Sequence, residues 1–137
     1  MKLVTPSILI TDDDRDFRET LGGLFEPRGF RTFLAGDGEE ALDIIRREQV
    51  HLALFDMHMP RLTGLEAMRR LRELELQAPI HSLPCILISA ALDPLIVQEA
   101  REQNVFTVLA KPIGVREVTA AVHKALEQAY QWLPEGR

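Results

Sequence analysis

One cysteine, Cys85, stands among 137 residues, so the chain can form no internal disulfide. Cys85 lies within an apolar run and reads as a buried thiol, with a reducing cytoplasm as the expected compartment. Positive charge is also scarce. Sixteen Lys and Arg face 21 Asp and Glu, a net charge of -5 that argues against nonspecific phosphate-backbone binding. The densest basic group, Arg69, Arg70 and Arg72, has a helical setting and reads as a solvated face. A protein partner is expected, with no direct nucleic acid. No apolar run approaches the ~20 residues of a membrane helix, and residues 1–6 lack the apolar core and small-residue cleavage site of a signal peptide. Repeats and low-complexity tracts are absent. His51, His81 and His123 show no metal-ligand spacing and read as surface residues, and Met57, Met59 and Met68 as packing residues.

What is present is ordinary globular material, 46% hydrophobic and 27% charged, in a length that suits one domain. The expectation is a single unit over residues 1–137. Its core covers about 6–130, residues 131–137 form a short tail, and no output domain is encoded. Four short runs, Ser7–Thr11, 52–55, 85–88 and 106–110, are almost wholly apolar, as strands covered on both faces are. Each ends on a polar residue: Asp12 with Asp13, Asp56, Ser89 and Lys111. In a parallel sheet these residues share the carboxyl edge, where open α/β sheets bind ligands.

Helical patterns alternate with the runs. Phe17, Leu21, Leu24 and Phe25 recur at helical spacing until Pro27 and Gly29 stop them. A short strand at residues 30–35 follows, and Asp37 can then cap a helix whose stripe is Ala41, Leu42, Ile44 and Ile45. A turn at residues 59–64 leads into Leu65, Met68, Leu71 and Leu74. Asp93-Pro94 is an N-cap with proline at the first helical position, and Asn104 suits a left-handed residue after that helix. A last helix covers Val115–Tyr130. The prolines of residues 77–84 suit a rigid surface loop. The order is β-α five times over, a doubly wound α/β sheet with helices on both faces.

Four fragments then carry a resemblance: Ile8-Leu9-Ile10-Thr11-Asp12-Asp13-Asp14, Leu54-Phe55-Asp56-Met57-His58-Met59-Pro60 with Gly64, Ile88-Ser89-Ala90, and Ala110-Lys111-Pro112. In this order, and along almost the whole chain, the sequence resembles the receiver domain of two-component response regulators, chemotaxis regulators among them. The resemblance implies a five-stranded parallel sheet of order 2-1-3-4-5, the flavodoxin-like (βα)5 arrangement. It implies a phosphoacceptor signalling domain, not a turnover enzyme, with a sensor histidine kinase or a phosphotransfer protein as donor and a downstream protein target. It also implies a responding surface on the fourth helix, fifth strand and fifth helix, through which a homodimer could form.

Within that resemblance Asp56 is the expected nucleophile, forming an acyl phosphate. Asp12, Asp13 and Asp56 are expected to hold Mg2+ with the backbone carbonyl of His58, a set of hard oxygen donors that suits this ion. Asp14 is expected to begin the first helix, as a cap. Lys111, its bond to Pro112 held cis as in the family, should balance charge on the phosphoryl group, and Ser89 should donate to a phosphoryl oxygen as the switch residue. The side chain of His58 could overhang the site. Where the family commonly has an aromatic residue three positions before the lysine, this chain has Val108. By period-two counting Phe106 shares its face, ~6.6 Å nearer the strand's start, with core packing as its expected job. Two other readings are a degenerate receiver acting as a constitutive binding module and a Mg-dependent aspartyl phosphohydrolase. The latter would want an acid where His58 stands.

Overall fold

Apolar runs become parallel strands here because helices cover them from both sides. The structure is a computed structural model that describes residues 5–77 and 82–134. In chain order its elements are β1 (Ser7–Thr11), α1 (Arg15–Phe25), a 3-10 turn (Glu26–Arg28), β2 (Arg31–Ala35), α2 (Gly38–Arg47), β3 (Leu52–Asp56), α3 (Gly64–Gln77), β4 (Cys85–Ser89), α4 (Pro94–Glu102), β5 (Thr107–Ala110) and α5 (Val115–Tyr130). All strand pairs are parallel and the order is β2-β1-β3-β4-β5, as expected. The three inner strands are buried at every residue, whereas the edge strands β2 and β5 are only partly covered. That difference explains why the inner runs are continuously apolar.

Alternation along the strands divides the core. Leu9, Ala53, Phe55, Cys85 and Leu87 meet Leu42, Met68, Leu71 and Ala100 of α2, α3 and α4. Ile8, Ile10, Leu52, Leu54, Ile86 and Ile88 meet Leu21, Phe25, Val122 and Leu126 of α1 and α5. At ~1.5–3 kcal/mol for each large buried side chain, these two layers supply most of the drive to fold.

The caps form where the sequence places them. Asp14 accepts from the amides of Asp16 and Phe17, Asp37 from Glu40, and Asp93 from Leu95. Thr63 and Glu66 add a reciprocal capping box at α3. Asn104 adopts φ 60°, the left-handed position expected of it.

Several expectations need correction. Phe30 is not a strand residue: β2 begins at Arg31, and Phe30 turns into the core against Phe25 and Trp132. Trp132, read as tail, is 7% exposed and belongs to the α1/α5 core layer. Phe106 does not share a face with Val108. It precedes β5 and packs with the α1/α5 layer, while Val108 packs with the other, so strand alternation does not govern it.

Arg72 is no solvated residue. Its guanidinium lies inside, bonded to Glu75, Leu83, Gln103 and Asn104, while Arg69 and Arg70 pair with Glu99 and Glu39. His51 is half-buried, its Nδ1 accepting from the Ser7 amide, and His123 is half-buried against Phe30 and Trp132. His81 and the middle of the 77–84 loop lie outside the described residues. Cys85 is fully buried, and burial pushes its thiol up to about 12, so it is inert at neutral pH.

Candidate functional site

The site forms where β1, β3, β4 and β5 end. Asp12 follows β1 directly, and its amide still pairs with the Ala35 carbonyl, so the strand geometry continues through it. It is 1% exposed. One carboxylate oxygen accepts from the Asp14 amide at 2.9 Å, and the other from Lys111 Nζ at 2.9 Å. Arg18, one turn into α1, donates to the Asp12 carbonyl at 2.7 Å and fixes the backbone from behind. Asp13, the next residue, is exposed.

Asp56 closes β3 and is 3% exposed. Gly64 permits the close packing beneath it: a Cβ at 64 would fall 2.5 Å from the Asp56 carbonyl oxygen and 2.8 Å from a Leu87 methyl. No larger residue fits without displacing the strand end. The loop between is tied down by the Met57 amide to the Ile88 carbonyl at 2.7 Å and the Gly64 amide to the Met57 carbonyl at 3.1 Å.

Lys111 is delivered by β5. Its amide bonds the Ser89 carbonyl at 2.9 Å, and the Lys111-Pro112 peptide is cis, as expected. From there Nζ reaches Asp12, lies 3.4 Å from Asp56 Oδ1, and sits 4.2 Å from the centre of the Phe17 ring. The ring face favours the cation and covers it on the side of α1. Burial works against the ammonium, but the hydrogen bond to Asp12 and the charges of Asp12 and Asp56 hold its proton more tightly than usual.

The carboxylates are crowded. Oxygens from Asp12, Asp13 and Asp56 all lie within 4.8 Å of one another. Burial first, and the Asp12 charge second, raise the Asp56 carboxyl above its ordinary value, against the pull of Lys111 and a hydrogen bond from the His58 backbone amide. Three carboxylates and one ammonium leave the cluster with a charge of -2 when ionised. A hard divalent cation fits such a donor set in both charge and ligand type.

Ser89 ends β4 and is fully buried. Its hydroxyl donates to the Ala91 carbonyl at 2.7 Å, accepts from the Ala91 amide at 3.2 Å, and lies 3.4 Å from His58 Nε2. The structure therefore brings Asp12, Asp13, Asp56 and Lys111 into one cluster, with Ser89 and His58 in contact at its rim. Sequence reasoning missed Arg18 and Phe17, although each follows Asp14 at helical spacing that turns it back toward the strand end. It quoted Gly64 without seeing what it accommodates.

A family model described as the response regulator receiver domain matches residues 8–123. The chain belongs to this family. Among curated relatives, sporulation initiation phosphotransferase F of Bacillus subtilis is 32% identical over 124 residues, covering 90% of this chain and 96% of that protein. The transcriptional regulatory protein CpxR of Escherichia coli is also 32% identical, over 123 residues and 90% of this chain. The chain spans only 50% of CpxR.

Solved structures agree. A Francisella response regulator receiver superimposes with a TM-score of 0.81 at 27% identity, covering 90% of this chain and 98% of that one. A receiver of an HD domain-containing protein from Pseudomonas fluorescens gives 0.82 at 26%, covering 93% and 98%. A receiver described as CheY-like, from Methanospirillum hungatei, gives 0.84 at 21%, covering 93% and 98%, and supports the fold. The chain is thus a receiver of the two-component type, in a family of phosphoacceptor signalling domains that typically bind Mg2+ and interact with histidine kinases or phosphotransfer proteins. Among the described residues no helix is long and apolar enough to cross a membrane.

Proposed function

We propose that Asp56 accepts a phosphoryl group from a phosphohistidine, supplied by a sensor kinase or a phosphotransfer protein, and that the acyl phosphate alters binding to a downstream protein. The observation that carries this reading is the buried carboxylate of Asp56, crowded by Asp12 and Asp13 and faced by Lys111. An ionised Asp56 oxygen attacks phosphorus, the bond from phosphorus to the imidazole nitrogen breaks, and the imidazole keeps the electron pair. Lys111 is already 3.4 Å from Asp56 and can follow a phosphoryl oxygen as a mobile point charge. Ser89 supplies a hydroxyl donor and Arg18 keeps Asp12 in place.

Mg2+ held by Asp12, Asp13, Asp56 and the His58 backbone carbonyl would offset the charge of the phosphoryl oxygens. The acyl phosphate at residue 56 would carry roughly 1.5 to 2 negative charges in place of the carboxylate's one, and three terminal acceptor oxygens. The loop from Ser89 to the Asp93 cap links that event to the start of α4. With Val108 where an aromatic lever is common and Phe106 packed elsewhere, we assign the response to that loop.

Chemistry distinguishes this reading from turnover. With Mg2+ and a small-molecule phosphodonor, label should enter once per chain, be released by hydroxylamine as expected of an acyl phosphate, and be lost in Asp56→Asn. Label that survives that substitution, or steady hydrolysis of phosphate monoesters, would overturn it.

A further inference from the structure

We propose that the His58 side chain is a latch on Ser89, holding the switch hydroxyl in a position facing its own loop. The inference rests on the reading of Ser89 as a donor to the phosphoryl group. A serine hydroxyl has one proton and two acceptor positions. The 2.7 Å contact from Ser89 Oγ to the Ala91 carbonyl requires that proton, because a carbonyl oxygen only accepts. One acceptor position takes the Ala91 amide at 3.2 Å. The remaining contact, to His58 Nε2 at 3.4 Å, then has its hydrogen on the imidazole, which assigns the Nε2–H tautomer to His58.

All three capacities of the hydroxyl are engaged. Before Ser89 can donate to a phosphoryl oxygen it must abandon the Ala91 carbonyl, and turning the oxygen away also breaks the contact with His58. The two ends of the latch differ in freedom. Ser89 is fully buried and has no solvent to replace a lost partner, whereas His58 is exposed and can turn outward. Below the ring, the His58 backbone is fixed by the Met57 amide on the Ile88 carbonyl and by its own amide on Asp56. The imidazole is a positioning residue: it acts on the phosphoryl site only through Ser89.

The test is a double-mutant cycle read as affinity for beryllofluoride with Mg2+, using wild type, His58→Ala, Ser89→Ala and the double variant. With Ser89 present, removing the imidazole should tighten binding about three- to tenfold, the scale of one modest hydrogen bond. With alanine at 89 it should change nothing. His58→Gln, which keeps a side-chain N–H, should restore the wild-type value. Equal shifts in both backgrounds, no shift, or weaker binding would overturn the latch.

A second measurement needs neither metal nor phosphoryl mimic. Nitrogen-15 spectra should show the Nε2–H tautomer at His58, moved by Ser89→Ala, and His58→Ala should speed hydrogen exchange at the Ala91 amide. An Nδ1–H tautomer, or an Ala91 amide indifferent to His58, would overturn the latch. If wild type binds no beryllofluoride while these spectra hold, the phosphoacceptor reading fails and the contact stands.

Discussion

The two ends of the sheet treat polar groups in opposite ways. At the carboxyl ends of the strands, Asp12, Asp13 and Asp56 crowd together and Lys111 answers only part of their charge. At the amino ends, every buried side-chain polar atom among the described residues has a partner. The Ser7 amide donates to His51 Nδ1 at 2.9 Å, the Ser7 hydroxyl to the Gln49 carbonyl at 2.6 Å, and the Tyr130 hydroxyl to the His51 carbonyl at 2.8 Å. Arg72 joins the end of α3 to the segments entering β4 and β5 through Glu75, Leu83, Gln103 and Asn104. A satisfied network holds the fold in one arrangement; an unbalanced one is ready to take up a ligand.

The largest expected effect comes from exchanging charge at the unbalanced end. Asp56→Asn should abolish phosphoryl acceptance yet raise the melting temperature in metal-free buffer. The sign follows from the raised Asp56 carboxyl: its ionised form costs stability above the raised value, and the neutral amide removes that cost. Differential scanning calorimetry beside a labelling assay checks both halves. A lower melting temperature would mean that Asp56 is part of the scaffold.

Arg72→Ala should do the reverse. Removing a side chain that is 14% exposed and bonded to three backbone carbonyls and the Glu75 carboxylate strands those acceptors. A loss of about 3 kcal/mol is expected from denaturant unfolding, with labelling intact at temperatures where the variant is folded. Gly64→Ala joins the two effects, since its Cβ would press on the Asp56 carbonyl and Leu87. It should cost about 1–3 kcal/mol by the same measurement and slow labelling as well.

Acid sharpens the contrast at the amino end. Burial lowers the His51 pKa below its ordinary 6.5, and Nδ1 must be unprotonated to accept from Ser7. The stability it contributes is therefore present above pH 6.5 and lost as the pH falls from there toward the folded value. Denaturant melts across pH 7.5 to 5 should show this slope in wild type and a flatter one in His51→Gln. The smallest effect belongs to Arg70→Ala, two positions before Arg72. Its pair with Glu39 is exposed, 53% and 60%, so the loss should stay within about 0.5 kcal/mol.

Arg70 and Arg72 also show what sequence could and could not reveal. Both lie in one basic run, and the helix period alone did not distinguish the solvated arginine from the half-buried one. The acceptors of Arg72 come from loops distant in sequence. The strands, the Asp14, Asp37 and Asp93 caps, and the convergence of Asp12, Asp56 and Lys111 were legible, because local pattern and the parallel rule decide them. Trp132, His51 and the face of Phe106 were misread for the opposite reason: each owes its place to tertiary contacts that override local spacing, although Phe106 does pack on the core as expected. The contact between His58 and Ser89 joins a loop residue to the last residue of β4, 31 positions apart, and no periodicity announces it.

The most direct test of the division between the two ends is intact mass after incubation with Mg2+ and a small-molecule phosphodonor, for Asp56→Asn and Arg72→Ala beside wild type. One added phosphoryl group is expected on wild type and on folded Arg72→Ala, and none on folded Asp56→Asn. A phosphoryl group on Asp56→Asn, or none on a folded Arg72→Ala, would contradict that division.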